Sequence, residues 1–144
     1  MNASETDEFE AYWKDQGADY VVVRHLHSNA GASIEIAEQM RAQNAQQERR
    51  PCVYPWERVV LNSRGYISFC PADWSGGSAI ADYRTTTIYE TWQGYFYQRL
   101  RRAHLTNDLA SHHFCQQCPD WIMTRWPGEG RSYADMIEDF KITE

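Results

Sequence analysis

Long hydrophobic runs are missing from this sequence. No stretch reaches the roughly eighteen apolar residues that a membrane-crossing helix needs. The first thirty residues are acidic and hold no apolar segment of the signal-peptide kind. A basic surplus is missing too: the formal net charge is −6, which argues against a face built for nucleic acid. The one basic cluster, Arg99, Arg101 and Arg102, reads as the solvated side of a helix. These absences lead us to expect a cytoplasmic chain with neither membrane nor nucleic acid among its partners. Cysteine is scarce, with four in 144 residues. In a reducing compartment, thiols point to metal or redox chemistry more than to a disulfide framework.

What is present is an aromatic-rich chain, with six Trp and nine Tyr among 42% hydrophobic residues. That suffices for one domain, or one and a fraction. The pattern predicts an α+β fold in three parts. Residues 1–50 form a short α/β lead-in and a linker. In it Ser4 or Thr6 caps a helix with Phe9, Tyr12 and Trp13 on its apolar face, and Gly17 ends it. "ADYVVVRHL" follows as a strand, its valine run suited to burial. A helix within 33–47 then places Ile34, Ile36, Ala37 and Met40 inward, and "RAQNAQQERRP" reads as polar linker.

Residues 51–121 hold the strongest local signals. "WERVVLNSRGYISFC" predicts a β-hairpin turning at Asn62–Gly65, and "DWSGGSAI" a loop. Thr87-x-x-Glu90 is a capping box opening an amphipathic helix. Its stripe of Ile88, Trp92, Tyr95, Phe96, Arg99 and Leu100 covers the hairpin. Residues 122–144 form a C-terminal loop and helix, with Ser132 as cap and Met136, Ile137 and Phe140 inward.

The chemistry rests on Cys52, Cys70, Cys115 and Cys118. Cys52 precedes the hairpin, Cys70 ends it, and Cys115-x-x-Cys118 lies just beyond the covering helix, so the topology permits all four sulfurs to converge. Ordinary buried cysteines are the bland alternative. A thioredoxin-like pair needs C-x-x-C at the start of a helix after a strand, which this one is not. Structural zinc commonly joins two C-x-x-C knuckles. Here there is one knuckle, and the other two cysteines are separated by seventeen residues. Iron–sulfur centres tolerate such dispersion, and the Cys-Pro steps at 70–71 and 118–119 suit them. His25-x-His27 puts two imidazoles on one face of a strand, with no third ligand to complete a metal site.

The cysteine spacing, the hairpin "VVLNSRGYISFC", the helix "TTIYETWQGYFYQRLRRAH" and the closing C-x-x-C together resemble the SPASM or "twitch" auxiliary domain of radical S-adenosylmethionine enzymes. The likeness spans residues 51 to about 121. It implies one [4Fe–4S] cluster on Cys52, Cys70, Cys115 and Cys118, because longer members of the family carry further cysteines and a second cluster. The lead-in is similar to the last α/β step of the partial barrel in those enzymes. The C-x-x-x-C-x-x-C loop that binds S-adenosylmethionine and the catalytic cluster is not in this sequence. The resemblance therefore implies an auxiliary, non-catalytic part that transfers electrons or positions substrate, with a radical S-adenosylmethionine domain or subunit as partner and a peptide or small molecule as substrate. Trp74, Trp121, His112 and His113 are placed in sequence to surround the cluster, although a histidine beside a loop is more often a surface residue. The competing class is a non-catalytic adaptor that holds zinc on the four cysteines and binds a protein or peptide.

Overall fold

The computed structural model describes residues 3–22 and 26–124. His25, the last valine of the expected strand and the expected C-terminal helix with its Ser132 cap lie outside the described residues. The chain is α+β. After a 3-10 turn at Ala3–Glu5 come α1 (Thr6–Asp15), α2 (Ile34–Gln43) and α3 (Tyr54–Glu57). Strands β1 (Val60–Leu61), β2 (Tyr66–Ser68) and β3 (Ala79–Asp82) follow, then α4 (Ile88–Gln93), α5 (Tyr95–Leu105), α6 (His113–Gln116) and a 3-10 turn at Asp120–Met123. Among the described residues no helix is long and apolar enough to cross a membrane.

The hairpin forms where the turn chemistry places it. Gly65 takes φ +85°, and the Asn62 side chain accepts from the amides of Arg64 and Tyr66 at 2.9 and 3.0 Å. The stretch after it is more than a loop. Asp73 gathers the amides of Ser75, Gly76 and Ser78 at 2.9, 2.9 and 2.6 Å, and the chain returns as β3. The result is an antiparallel sheet in the order β1-β2-β3. A register shift between Ile67 and Ser68 breaks the alternation, so Ile67, Ser68 and Phe69 are all buried.

The capping box is present, Thr87 Oγ1 accepting from the Glu90 amide at 3.1 Å and Glu90 accepting from the Thr87 amide at 2.8 Å. The helix it opens is two helices. Gly94 is extended, with φ −70° and ψ 166°, and α5 restarts beyond it in a new phase. Tyr95, placed inward by one continuous helical period, is therefore 73% exposed, whereas Tyr97 is fully buried. Tyr97 packs with Phe69, Leu100, Ala103, Leu109 and Cys115, and Trp92, Phe96, Phe114 and Ile80 close round this core. Arg101 also departs from expectation. It is partly buried, donates to the carbonyls of Pro55 and Trp92 at 2.9 and 3.1 Å, and lies over the rings of Trp92 and Tyr97. A guanidinium stacked on aromatic faces contributes packing as well as charge.

The lead-in differs most. Glu5 stands at the N-cap of α1, which has no side-chain capping bond, so neither Ser4 nor Thr6 caps it. Phe9, Tyr12 and Trp13 share a face and touch edge to face, yet all three are exposed. Residues 18–22 form no ladder, and Tyr20 and Val22 are exposed. A valine run becomes a buried strand only where neighbouring strands accept its hydrogen bonds. In α2, Ala37 and Met40 are buried as expected and Ile34 is exposed.

Gly94 has a steric role besides its hinge. A Cβ there would lie 2.8 Å from the Glu90 carbonyl oxygen and 3.2 Å from that of Thr91. Backbone cannot yield as a side-chain tip can, so Gly94→Ala should destabilise the protein by roughly 1–3 kcal/mol. Urea denaturation checks this, and an unchanged midpoint would show slack at the junction.

Candidate metal centre

Three segments far apart in sequence deliver the four cysteines. Cys52 enters just before α3, Cys70 leaves the sheet after β2, and α6 with the following turn presents Cys115 and Cys118. All four line one cavity, together with Tyr54, Phe69, Phe114, Trp121, Arg49 and His104. The volume open to the centre of a water-sized sphere is about 30 Å³, more than the roughly 10–15 Å³ that a single water needs. Cys115 is buried, the other three are half-buried, and none is in a disulfide.

The sulfurs are held by local backbone geometry. The amides of Tyr54, Ala72 and Asp120 lie near the sulfurs of Cys52, Cys70 and Cys118 and favour their ionised form. In each case the donor lies two residues beyond its cysteine. At Cys70 and Cys118 the intervening residue is proline, which removes the competing amide and fixes φ. Among the described residues no three His, Cys, Asp or Glu side chains stand close enough to hold a single metal ion. The thiols are spread around the cavity wall.

Arg49 closes the cavity on one side. Its Nη2 donates to the Cys115 carbonyl at 2.7 Å, and Nη1 reaches the carbonyls of Gln116 and Cys118 at 3.3 and 3.4 Å. Its guanidinium lies 5.7 Å from the centre of the Trp121 ring. His104, in the last turn of α5, is 3% exposed, and its Nδ1 accepts from the Cys52 amide at 3.4 Å. Burial, with Arg49 and His112 nearby, pushes the His104 pKa down to about 3, so the ring is neutral. Asp120 anchors the knuckle from behind, accepting from the Ser28 amide and hydroxyl at 2.8 and 2.7 Å and from the Ala30 amide at 2.7 Å.

Of the aromatic and histidine residues expected around the site, only Trp121 lines the cavity. Trp74 is 86% exposed. His112 packs edge-on against Phe96, and His113 is exposed beside Gln116. His27 sits 4.0 Å from Asp120. Arg49 and His104 escaped the sequence reading. Arg49 lies in a stretch whose polar composition reads as linker. His104 carried a signal, because it falls seven residues after Tyr97 and four after Leu100, on the buried face of α5.

Burial is the largest influence on the thiols, and each also feels its neighbours. The pKa rises from 9.0 to about 12 at Cys52, Cys70 and Cys115 and to about 11 at Cys118. A metal that takes these sulfurs as thiolates must displace protons the apo-protein holds tightly. Four soft sulfur donors on one largely aromatic cavity wall are a donor set of the kind that polythiolate metal centres use. Residues 52–119 match the sequence model of the SPASM family, an iron–sulfur cluster-binding domain. No curated protein and no solved structure matches the chain.

The raised thiol pKa values carry a stability signature. Above 9.0 an unfolded chain sheds thiol protons that the metal-free fold keeps to about 12. The folded state then binds more protons, so its stability falls as pH rises through that window. Urea midpoints of metal-free protein should drop between pH 9 and pH 12, and less steeply in Cys115→Ala. A wild-type slope no steeper than that of the variant would contradict the buried-thiol arrangement.

Proposed function

We propose that Cys52, Cys70, Cys115 and Cys118 ligate one [4Fe–4S] cluster, and that the chain is an auxiliary part of a radical S-adenosylmethionine enzyme in a reducing compartment such as the cytoplasm. The carrying observation is that all four cysteines, and no other cysteine, line a single cavity inside the SPASM segment. Their spread around the wall supports a polynuclear centre over a single tetrahedral ion, which needs four sulfurs about 2.3 Å from one point. An all-cysteine cluster supplies one-electron transfer.

The protein's own residues would tune that chemistry. The amides of Tyr54, Ala72 and Asp120 stabilise negative charge on sulfur. Arg49 places a fixed cation beside it and ties the knuckle carbonyls in place. Phe69, Phe114 and Trp121 give the cavity an aromatic wall, which limits reorganisation when charge changes. Four ligands from the chain leave no iron position open to substrate, which favours electron transfer or substrate positioning as the role. The C-x-x-x-C-x-x-C loop is not in this sequence, so cleavage of S-adenosylmethionine falls to a partner domain or subunit. Residues 1–50 would form the lead-in from that catalytic part, and 51–121 the cluster domain. The substrate would be a peptide or small molecule.

Iron, sulfide and zinc content of anaerobically purified protein tests this directly. We expect about four irons and four sulfides per chain, with visible absorption that dithionite bleaches. Cys115→Ala should lose most of that iron and melt earlier. One zinc and no colour after reconstitution with iron and sulfide would overturn the assignment.

A further inference from the structure

Five buried side-chain atoms among the described residues have no hydrogen-bond partner within the chain: His27 Nδ1, Arg49 Nε, Ser78 Oγ, His104 Nε2 and His112 Nε2. Two of these residues, Arg49 and His104, line the cavity of the four thiols. In both the unpaired atom is an N–H donor. Arg49 Nε carries a proton as part of a guanidinium. The protonation of His104 follows from its hydrogen bond. Nδ1 accepts from the Cys52 amide, so that nitrogen has a free lone pair and the ring proton is on Nε2. A buried donor left unpaired is rare and costly, and calls for a partner. The other residues of the cavity wall leave few candidates besides sulfur. Tyr54, Phe69, Phe114 and Trp121 are aromatic, and the Asp120 carboxylate is taken by Ser28 and Ala30.

Neither residue is free to turn away. His104 is pinned by the Cys52 amide on one side of its ring and by Trp56, edge-on at 6.3 Å, on its face. The two terminal nitrogens of Arg49 are committed to knuckle carbonyls. Nε–H of Arg49 and Nε2–H of His104 are buried and have no partner within the chain. Resting on the reading that an iron–sulfur cluster occupies this cavity, we propose that His104 Nε2–H and Arg49 Nε–H are hydrogen-bond donors to its sulfurs, and that they hold its reduction potential higher than amides alone would. A donor draws electron density from sulfur and stabilises the reduced, more negative state. Arg49 adds a positive charge, whereas His104 acts through its dipole. His104 is therefore the cleaner residue to test.

The test uses the full chain loaded with iron and sulfide. His104→Leu removes the donor, His104→Phe removes it while keeping ring volume, and His104→Gln restores an N–H near the position of Nε2. The expected result is a lower midpoint potential in the Leu and Phe variants at unchanged iron content, with recovery towards wild type in Gln. A second readout needs no substitution. In reduced wild-type protein labelled with ¹⁵N-histidine, electron–nuclear spectroscopy should detect a histidine nitrogen coupled through its exchangeable proton to the cluster. If wild type binds iron and sulfide but shows no such coupling, the donor assignment fails and the cluster reading stands. Equal potentials in wild type, Leu and Phe lead to the same conclusion. Wild type that takes up no iron–sulfur cluster overturns both.

Discussion

One guanidinium ties together the two ends of the cavity that the four cysteines line. Arg49 lies three residues before Cys52 and binds the carbonyls of Cys115, Gln116 and Cys118. It thereby draws the entry of the domain onto its exit. Part of the guanidinium is shielded from water, and burial lowers its pKa while the nearby cysteines raise it. An arginine suits this position because it offers several fixed donors on one plane and can lie on an aromatic ring as well.

Around this fork the domain is layered from soft to hard constraints. The β2–β3 pairing and α5 supply a packed aromatic wall. The Cys-Pro steps and their following amides orient individual sulfurs. Asp120 then fixes the knuckle to the turn at Ser28 and Ala30 from the far side. The aromatic wall tolerates adjustment, whereas the buried polar contacts must be satisfied together or not at all. That explains why polar residues that look ordinary in sequence are concentrated next to the thiols.

The hairpin, the capping box and the convergence of the four cysteines on one cavity were legible because each follows a local rule: a glycine turn, a Thr–Glu spacing, a position at the ends of the hairpin and beyond the helix. Other features are set by distant partners. Ala79–Asp82 is short and follows a Gly- and Ser-rich loop, and it becomes a strand only because Tyr66–Ser68 offers a ladder. Tyr97 replaces Tyr95 in the core because Gly94 resets the helical phase. The run at Val21 and Val22 reads as a buried strand but finds no ladder among the described residues. Arg49 reads as linker because its partners lie 66 or more residues away.

Those separations bear on the order of assembly. The β-hairpin and the capped helix close over short loops, so their formation costs little chain entropy and is fast. The contacts that enclose the thiols span 66 residues from Arg49 to Cys115 and 92 from Ser28 to Asp120. Closing them costs more chain entropy than closing the hairpin or the capped helix. The cavity of the four cysteines is thus the part of the domain whose closure depends most on contacts between distant segments.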